Sequence, residues 1–190
     1  MHVPLKTCLL VFITLFVITG VLYPLAVTVF AELAFPVTAH GSILRDERGR
    51  VLGSSLIGQN FSAPRYFTGR LSATGGTPYN PARSGGSNLG PTNPVLIQRI
   101  NTSVQLLRLQ GTRGAIPADL ITTSASGVDP HLSLESALLQ VPAIARERNL
   151  REEDLRALVL SQVVSDPIPG HPPYVNVLLL NRALDQQTGR

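Results

Sequence analysis

The residues whose types and spacing best suit chemistry form a glycine-rich loop at residues 84–91, Ser-Gly-Gly-Ser-Asn-Leu-Gly-Pro. The loop leads into a helix start at Asn93 and Pro94, and backbone amides in such a place can hold an anion or a phosphate. No lysine follows the last glycine, however, and no G-x-G-x-x-G pattern occurs. The simpler interpretation, which the missing motifs favour, is a turn whose glycines let two backbone segments pack closely.

A hydrolase would need a nucleophile, a base and an acid, and the available combination is Ser87 with His131 and Asp129. The residues around Ser87 lack the final glycine of a nucleophile elbow. Asp129 also lies only two positions from His131, whereas triad members normally converge from separate elements. We therefore predict no catalytic residue, and an exported serine hydrolase is the least favoured function.

No metal site is predicted. The histidines, His2, His40, His131 and His171, show no metal-ligand spacing. The one cysteine, Cys8, lies in an apolar segment and excludes an intrachain disulfide. The residues themselves thus indicate no bound cofactor.

The segment that must hold the rest of the chain in place is residues 7–31, which carries no charge between Lys6 and Glu32. As a helix it would be roughly 37 Å long, enough to cross a hydrocarbon core of ~30 Å. A buried globular helix would show a polar face, and a cleaved signal peptide would have a shorter apolar core. Gly20 and Pro24 indicate a kink that packs against a partner helix. We predict an uncleaved transmembrane anchor.

The predicted organisation has four parts: a short cytoplasmic tail at residues 1–6, a transmembrane helix at 7–31, a linker at 32–36 and an extracytoplasmic domain at 37–190. The count of positive charges opposes this orientation, because Lys6 precedes the helix whereas Arg45, Arg48 and Arg50 follow it. Long domains nevertheless translocate largely regardless of charge. The short tail is therefore placed inside and the large domain outside.

The fold class expected is α+β: one transmembrane helix followed by a single small mixed α/β domain, with strands first and last and helices between. The predicted elements are a hairpin at 41–54 closed by Gly49, an ordered irregular loop at 56–94, helices at 93–111, 133–149 and 151–164, a strand at 174–178 and a closing helix at 179–186. Pro142 is expected to kink or split the second of these helices.

The charge of the chain is carried by arginine. The 190 residues have a net charge of +4, with fifteen arginines and one lysine. Residues 37–128 hold nine arginines and three acids, and residues 129–190 hold six arginines and eight acids. The arginines are scattered singly, which is typical of a solvated surface or a docking face rather than of a nucleic-acid site.

Several stretches together resemble the C subunit of the Kdp potassium-transporting ATPase, the bacterial high-affinity potassium uptake system. They occur in the family's order over nearly the whole chain, and the apolar anchor and the length fit as well. The stretches are residues 53–61 (GSSLIGQNF), Tyr66 and Phe67 with Arg70, residues 79–81 (YNP), 84–94 (SGGSNLGPTNP), 124–131 (SASGVDPH), 140–142 (QVP) and 175–181 (VNVLLLN).

The resemblance implies a non-catalytic accessory subunit in the cell inner membrane. Its partners would be a subunit that conducts potassium and a P-type ATPase subunit that hydrolyses ATP. The Asp-Lys-Thr-Gly phosphorylation motif of the latter is absent here. The role implied is to stabilise assembly and to act as a catalytic chaperone that raises the ATP affinity of the catalytic subunit.

An alternative is a regulator that binds the nucleotide itself, with ATP as its only implied cofactor. The resemblance places such a contact at a glutamine and a glycine-rich stretch, which in this chain are Gln140, Ser84, Gly85, Gly86 and Ser87. Where the family commonly has a basic residue after the Gln-x-Pro motif, this chain has Ala143. That change weakens the case for phosphate binding through a cation.

Overall fold

A computed structural model of the chain describes residues 4–167, 170 and 172–188. His2, His171 and the first three residues of the predicted tail lie outside this range. The chain folds as two compact units, Met1–Ser54 and Ser55–Arg190, and each is described by itself.

The first unit begins with one long helix, α1, at Leu5–Ala34, which could cross a membrane by length and composition. A π-helical turn at Ile18–Leu22 lies just before Pro24, whose missing N–H removes one bond of the ordinary α-helical ladder. The helix includes residues 32–34, which the sequence pattern assigned to a linker. It ends at Ala34, because the next residue, Phe35, precedes a proline and such a residue disfavours the helical conformation.

A short helix, α2 (Pro36–Ala39), connects α1 to an antiparallel hairpin of β1 (Ile43–Arg45) and β2 (Val51–Ser54). The hairpin was predicted and is confirmed. Gly49 has a φ of 75°, a conformation that L side chains rarely adopt. The Asp46 carboxylate accepts hydrogen bonds from the backbone N–H groups of Arg48 and Arg50, at 2.9 and 2.8 Å, and so closes the turn.

The second unit starts with an irregular segment at residues 55–93, all of which the structure describes. Its one regular piece is a 3-10 turn at Pro81–Arg83, and an isolated bridge joins Leu71 to Thr123. The segment is anchored by Phe67, whose side chain is completely buried. The prediction of an ordered irregular loop is confirmed, and of its aromatic residues Phe67 is fully buried whereas Phe61, Tyr66 and Tyr79 are half-buried.

The remaining elements form a helical layer on a small antiparallel sheet in which β3 pairs with β4. They are α3 (Pro94–Leu109), α4 (Ala118–Ile121), β3 (His131–Ser133), α5 (Leu134–Arg148), α6 (Glu152–Ser161), β4 (Tyr174–Asn176) and α7 (Val177–Gln187). The predicted caps of α3 and α5 are confirmed, since Asn93 Oδ1 accepts from the Val95 N–H and Ser133 Oγ from the Ser136 N–H.

Of the two outcomes predicted for Pro142, a kink or a split, the structure excludes the split, and the prediction of a strand at residue 178 was wrong. Pro142 does not split α5, because Val141 and Ala145 on either side of it are buried in the core and hold the helix together despite the lost bond. Leu178 belongs to α7 and not to a strand. Asn176 ends the strand there, since its side chain caps the new helix by accepting from the Leu179 N–H at 3.2 Å.

The core of the second unit lies where α5, α6 and α7 meet the sheet. Its largest fully buried apolar side chains are Phe67, Leu132, Val141, Leu155, Val159, Val175, Leu180 and Leu184. Burial of this apolar surface is the main stabilising term for a domain of this size.

Asn181 of α7 attaches the irregular segment to this core. Its side chain, in a residue only 1% exposed, accepts a hydrogen bond from the Phe67 N–H and donates one to the Phe67 carbonyl, both at 2.9 Å. One amide side chain thus satisfies both backbone groups of a buried residue that lies in no strand or helix.

Replacing Asn181 with alanine should therefore leave two buried backbone groups of Phe67 without partners. We expect a loss of roughly 2–4 kcal/mol in the free energy of unfolding, measured by denaturant titration of the full chain in detergent. The matched control is Asn101→Ala on the exposed side of α3, which should change stability by less than about 0.5 kcal/mol. Similar losses in the two variants would contradict the role of Asn181.

Candidate functional site

The glycine-rich loop packs backbone against backbone on residues 124–127. The Gly85 N–H donates to the Ser126 carbonyl at 2.8 Å, and Ser84 Oγ donates to the same oxygen at 3.0 Å. A Cβ atom on Gly86 would lie 2.9 Å from the Ala125 carbonyl oxygen, which is too close for a real contact. Glycine at position 86 therefore allows the two backbone segments to approach each other closely.

The start of α3, which follows the loop, is capped from within the chain. The Asn93 side chain accepts from the Val95 N–H at 2.9 Å, and the Asn93 carbonyl accepts from Leu96 and Ile97. The Val95 and Leu96 amides are among those that an anion at the helix N-terminus would use. A phosphate would have to displace Asn93 in order to reach them.

Gln140 of α5 forms hydrogen bonds with the backbone of Thr68. Its Oε1 accepts from the Thr68 N–H at 2.9 Å and from Thr68 Oγ1 at 3.0 Å, and its Nε2 donates to the Thr68 carbonyl at 3.1 Å. The side chain of Gln140 therefore has a structural partner on both of its polar atoms.

The five residues predicted to contact a nucleotide do not line one common cavity. Gln140 lines a cavity of about 420 Å³ between the irregular segment, α3 and α5. Ser87 lines a separate cavity of about 520 Å³ beside α3. The other three predicted residues, Ser84, Gly85 and Gly86, contribute to neither of these cavities.

Neither cavity has the charge that a nucleotide triphosphate requires. The wall beside Ser87 carries one cation, Arg99, among hydroxyl and apolar side chains. The wall beside Gln140 carries Arg146 and Glu147, whose charges offset one another. Phosphate sites usually combine several cations with unpaired backbone amides, so these walls support nucleotide binding only weakly.

Tyr79 is the centre of a tightly packed polar cluster in the irregular segment. Its hydroxyl donates to the Arg70 carbonyl, and a Cβ atom on Gly58 or Gly69 would lie 2.6 or 2.8 Å from the Tyr79 side chain. Burial, with the nearby Asp129 carboxylate, raises the pKa of Tyr79 to about 12. The phenol therefore stays protonated at neutral pH and keeps its hydrogen bond.

The candidate hydrolase residues serve this cluster and its surroundings. Asp129 Oδ2 pairs with Arg70 Nη1 at 3.2 Å, and Asp129 Oδ1 accepts from the His131 N–H at 3.0 Å. The His131 ring packs on Tyr174, with ring centroids 4.6 Å apart. Neither Asp129 nor His131 lines the cavity that Ser87 lines, so the structure does not bring the three residues to a common pocket.

Two further polar residues, which sequence reasoning did not single out, hold the helices in place. Asp119 Oδ2 accepts from the Ser133 N–H at 2.9 Å, and its Oδ1 accepts from Ser136 Oγ at the start of α5. Burial raises the pKa of Asp119, but these hydrogen bonds outweigh it and hold the pKa below its usual value. The carboxylate thus stays ionised at neutral pH.

Arg148 is the second of these residues, and its side chain is almost completely buried. It donates to the Arg65 carbonyl at 2.7 Å, to Asp185 Oδ1 at 2.7 Å and to Thr188 Oγ1 at 3.0 Å. Its guanidinium carbon lies 4.8 Å from the centre of the Tyr66 ring. A buried cation with this full set of partners joins the end of α5 to the end of α7.

Comparison with known proteins shows what these features belong to. A family described as "K+-transporting ATPase, c chain" matches residues 5–186. The potassium-transporting ATPase KdpC subunit of Methanosphaerula palustris is 50% identical over 181 residues, which cover 95% of this chain and 96% of the relative. The chain belongs to the KdpC family.

Other KdpC subunits are similar over the same length. Those of Methylobacterium nodulans and Geobacter sulfurreducens are each 46% identical to this chain. The alignment covers 98% of this chain and of the relative for the first, and 95% and 96% for the second. A KdpC subunit is an accessory subunit of the Kdp potassium-transporting ATPase and not the catalytic one. The described residues contain one helix that could span a membrane, which in a Kdp subunit indicates association with a membrane.

Most of the motifs that carry the KdpC resemblance make contacts that stabilise the fold. Residues 175–181 supply Asn181, which grips Phe67, and residues 53–61 supply Gly58, which packs under Tyr79. Asp119 and Arg148 lie outside the quoted motifs. Arg148 had one usable signal, its place in the last turn of a predicted helix, where a cation is favourable.

Two neighbouring glycines of the loop make a matched pair for testing its packing role. Gly86→Ala should lower the free energy of unfolding by roughly 1–3 kcal/mol, because the new methyl group meets the Ala125 carbonyl. Gly85→Ala should change it by less than about 1 kcal/mol, since no atom lies within 4 Å of its added Cβ. Denaturant unfolding of the full chain measures both. Equal sensitivity at the two positions would contradict the packing explanation.

Proposed function

We propose that this KdpC subunit stabilises the assembly of the potassium pump and acts as a catalytic chaperone that raises the ATP affinity of the ATP-hydrolysing subunit. Its partners are a potassium-conducting subunit and a P-type ATPase subunit. The proposal rests on family membership together with one structural observation: the conspicuous polar motifs of the chain make contacts within its own fold. Such a chain acts through contacts with its neighbours.

The proposed placement is single-pass in the cell inner membrane, with residues 1–6 in the cytoplasm and residues 37–190 outside. Support comes from α1, whose apolar side chains are exposed along its length. In water this surface would be unfavourable, whereas in a bilayer it faces hydrocarbon and partner helices.

This placement favours an indirect effect on ATP. Cytoplasmic ATP cannot reach a domain on the far side of the membrane, so the subunit would raise ATP affinity by favouring one conformation of its partner. The alternative, in which Gln140 and residues 84–87 bind the nucleotide directly, has less support. Gln140 is already engaged by Thr68, and the Gly85 N–H by Ser126.

The experiment that tests the proposal compares the pump purified with this subunit, without it, and with α1 replaced by an unrelated apolar helix of equal length. We expect complex yield to fall in both altered preparations. Without the subunit, the KM for ATP should rise by at least roughly fivefold, the lower end of ordinary coupling between sites. Unchanged yield and KM would contradict the proposal.

The variants Gly85→Ala and Ser87→Ala separate the two modes of action. Neither residue is completely buried, and Gly85 has room for a methyl group. An indirect effect predicts a wild-type KM for ATP in both variants. A raised KM without loss of stability or yield would instead favour direct nucleotide binding at the loop.

A further inference from the structure

Helix α3 has an apolar surface that the rest of its unit does not cover. Its inward side rests on the domain through the half-buried Leu96, Ile100, Val104 and Leu107, and no residue of the helix is fully buried. Eight large hydrophobic side chains are exposed among the described residues of the second unit, and four of them belong to α3. These four are Val95, Ile97, Leu106 and Leu109.

Three of the four form one stripe on the outer side of the helix. At 100° per residue, Val95, Leu106 and Leu109 point within roughly 60° of one another. Leu106 is 55% exposed and Leu109 is 84% exposed. Leucines so open to water are unfavourable unless another surface covers them.

Along the sequence, the charges that flank this outer stripe, Val95, Leu106 and Leu109, are of one sign; across the fold, Arg146 and Glu147, whose charges offset one another, line the cavity that Leu109 also lines. Residues 48–118 contain eight arginines and no aspartate or glutamate. Arg99 lies seven residues before Leu106 and therefore on the same side of α3, and Arg113 follows the helix on an exposed turn. The surface that suits the stripe is thus both apolar and negatively charged.

A comparison within the domain shows that this combination is particular to α3. Helix α6 also exposes one leucine, Leu160, which is 56% exposed. Its first turn, however, carries Glu152, Glu153 and Asp154. Helix α6 thus carries three acids against one arginine, Arg156, whereas α3 carries two arginines and no acid, so an anionic surface favours α3.

The membrane that would hold α1 is a suitable surface, and the connection between α1 and the second unit limits the distance between them. Helix α1 ends at Ala34, and the second unit begins at Ser55. The residues between them, 35–54, can span at most roughly 70 Å even when fully extended. If α1 lies in a bilayer, as the proposed function requires, the lipid headgroups therefore stay within reach of the domain.

We propose that α3 docks on the membrane surface, with Val95, Leu106 and Leu109 against the upper acyl chains and Arg99 and Arg113 on anionic headgroups. Apolar side chains of an interfacial helix gain by leaving water, and arginines gain by pairing with lipid phosphates. The docked helix fixes the orientation of the domain relative to the bilayer. α3 is thus a second, reversible membrane contact beside the anchor.

The test uses the full chain with Cys8→Ser, reconstituted in vesicles of phosphatidylcholine alone or mixed with phosphatidylglycerol. A fluorophore on Leu106→Cys reports contact with lipids that carry a spin-label quencher near the headgroup, and Leu160→Cys is the matched control. We expect strong quenching at position 106 in anionic vesicles, weak quenching in neutral ones, and little at position 160 in either. High salt should reduce the signal at position 106.

Charge variants make the expected effect quantitative. Each arginine near an anionic surface strengthens docking by roughly fivefold, so Arg99→Gln with Arg113→Gln should lower the ratio of docked to free helix by roughly 25-fold. Arg108 is left unchanged because it donates to the Thr112 and Gly114 carbonyls and holds the turn after the helix.

Three results would overturn the inference: equal quenching at positions 106 and 160, quenching at 106 that ignores lipid charge, or a probe at 106 that is shielded from lipid once the pump is assembled. The last would mean that a protein partner covers α3. Flotation of each variant with the vesicles measures the anchor separately. A chain that floats without quenching rejects docking alone, whereas one that does not float rejects the anchor as well.

Discussion

The second unit depends on how an irregular segment satisfies its buried backbone groups. Residues 55–93 contain no strand or α-helix that would pair their N–H and C=O groups, yet Phe67 is completely buried. Side-chain amides of two helices take the place of strand partners. Asn181 of α7 hydrogen-bonds the backbone of Phe67, and Gln140 of α5 hydrogen-bonds the backbone of Thr68; we call these two contacts the side-chain clamps. An unpaired buried amide costs about as much as a lost hydrogen bond, which makes the Asn181 clamp essential at the buried Phe67, and the Gln140 clamp fixes the exposed Thr68 beside it.

The same constraint accounts for the motifs that first suggested chemistry. Gly86 lets the glycine-rich loop approach Ala125, and Gly58 leaves room for the Tyr79 ring. These residues are small because backbone or an aromatic ring occupies the adjacent space. A chain whose distinctive residues stabilise its own fold in this way suits an accessory subunit of the pump, which carries out no catalysis itself.

Local signals in the sequence predicted the local structure well. Gly49 marked the hairpin turn, and Asn93 and Ser133 marked helix starts, because each acts on residues within four positions of itself. Packing decided the rest: α5 continues through Pro142 because its flanking residues are buried. The pairing of Gln140 with Thr68 joins positions 72 residues apart, and neither residue type reveals such a partner. The resemblance identified Gln140, but not its bond to the backbone.

Amide hydrogen exchange of Phe67 and Thr68 in the full chain tests the central claim most directly. The account predicts that both amides exchange at least roughly 100-fold more slowly than that of Gly76 in the same segment, since each is held by a side chain of the core helices. Gln140→Ala should then release Thr68 and leave Phe67 protected. If Phe67 and Thr68 exchange as fast as Gly76 in the unaltered chain, the side-chain clamps do not hold the segment and the account is wrong.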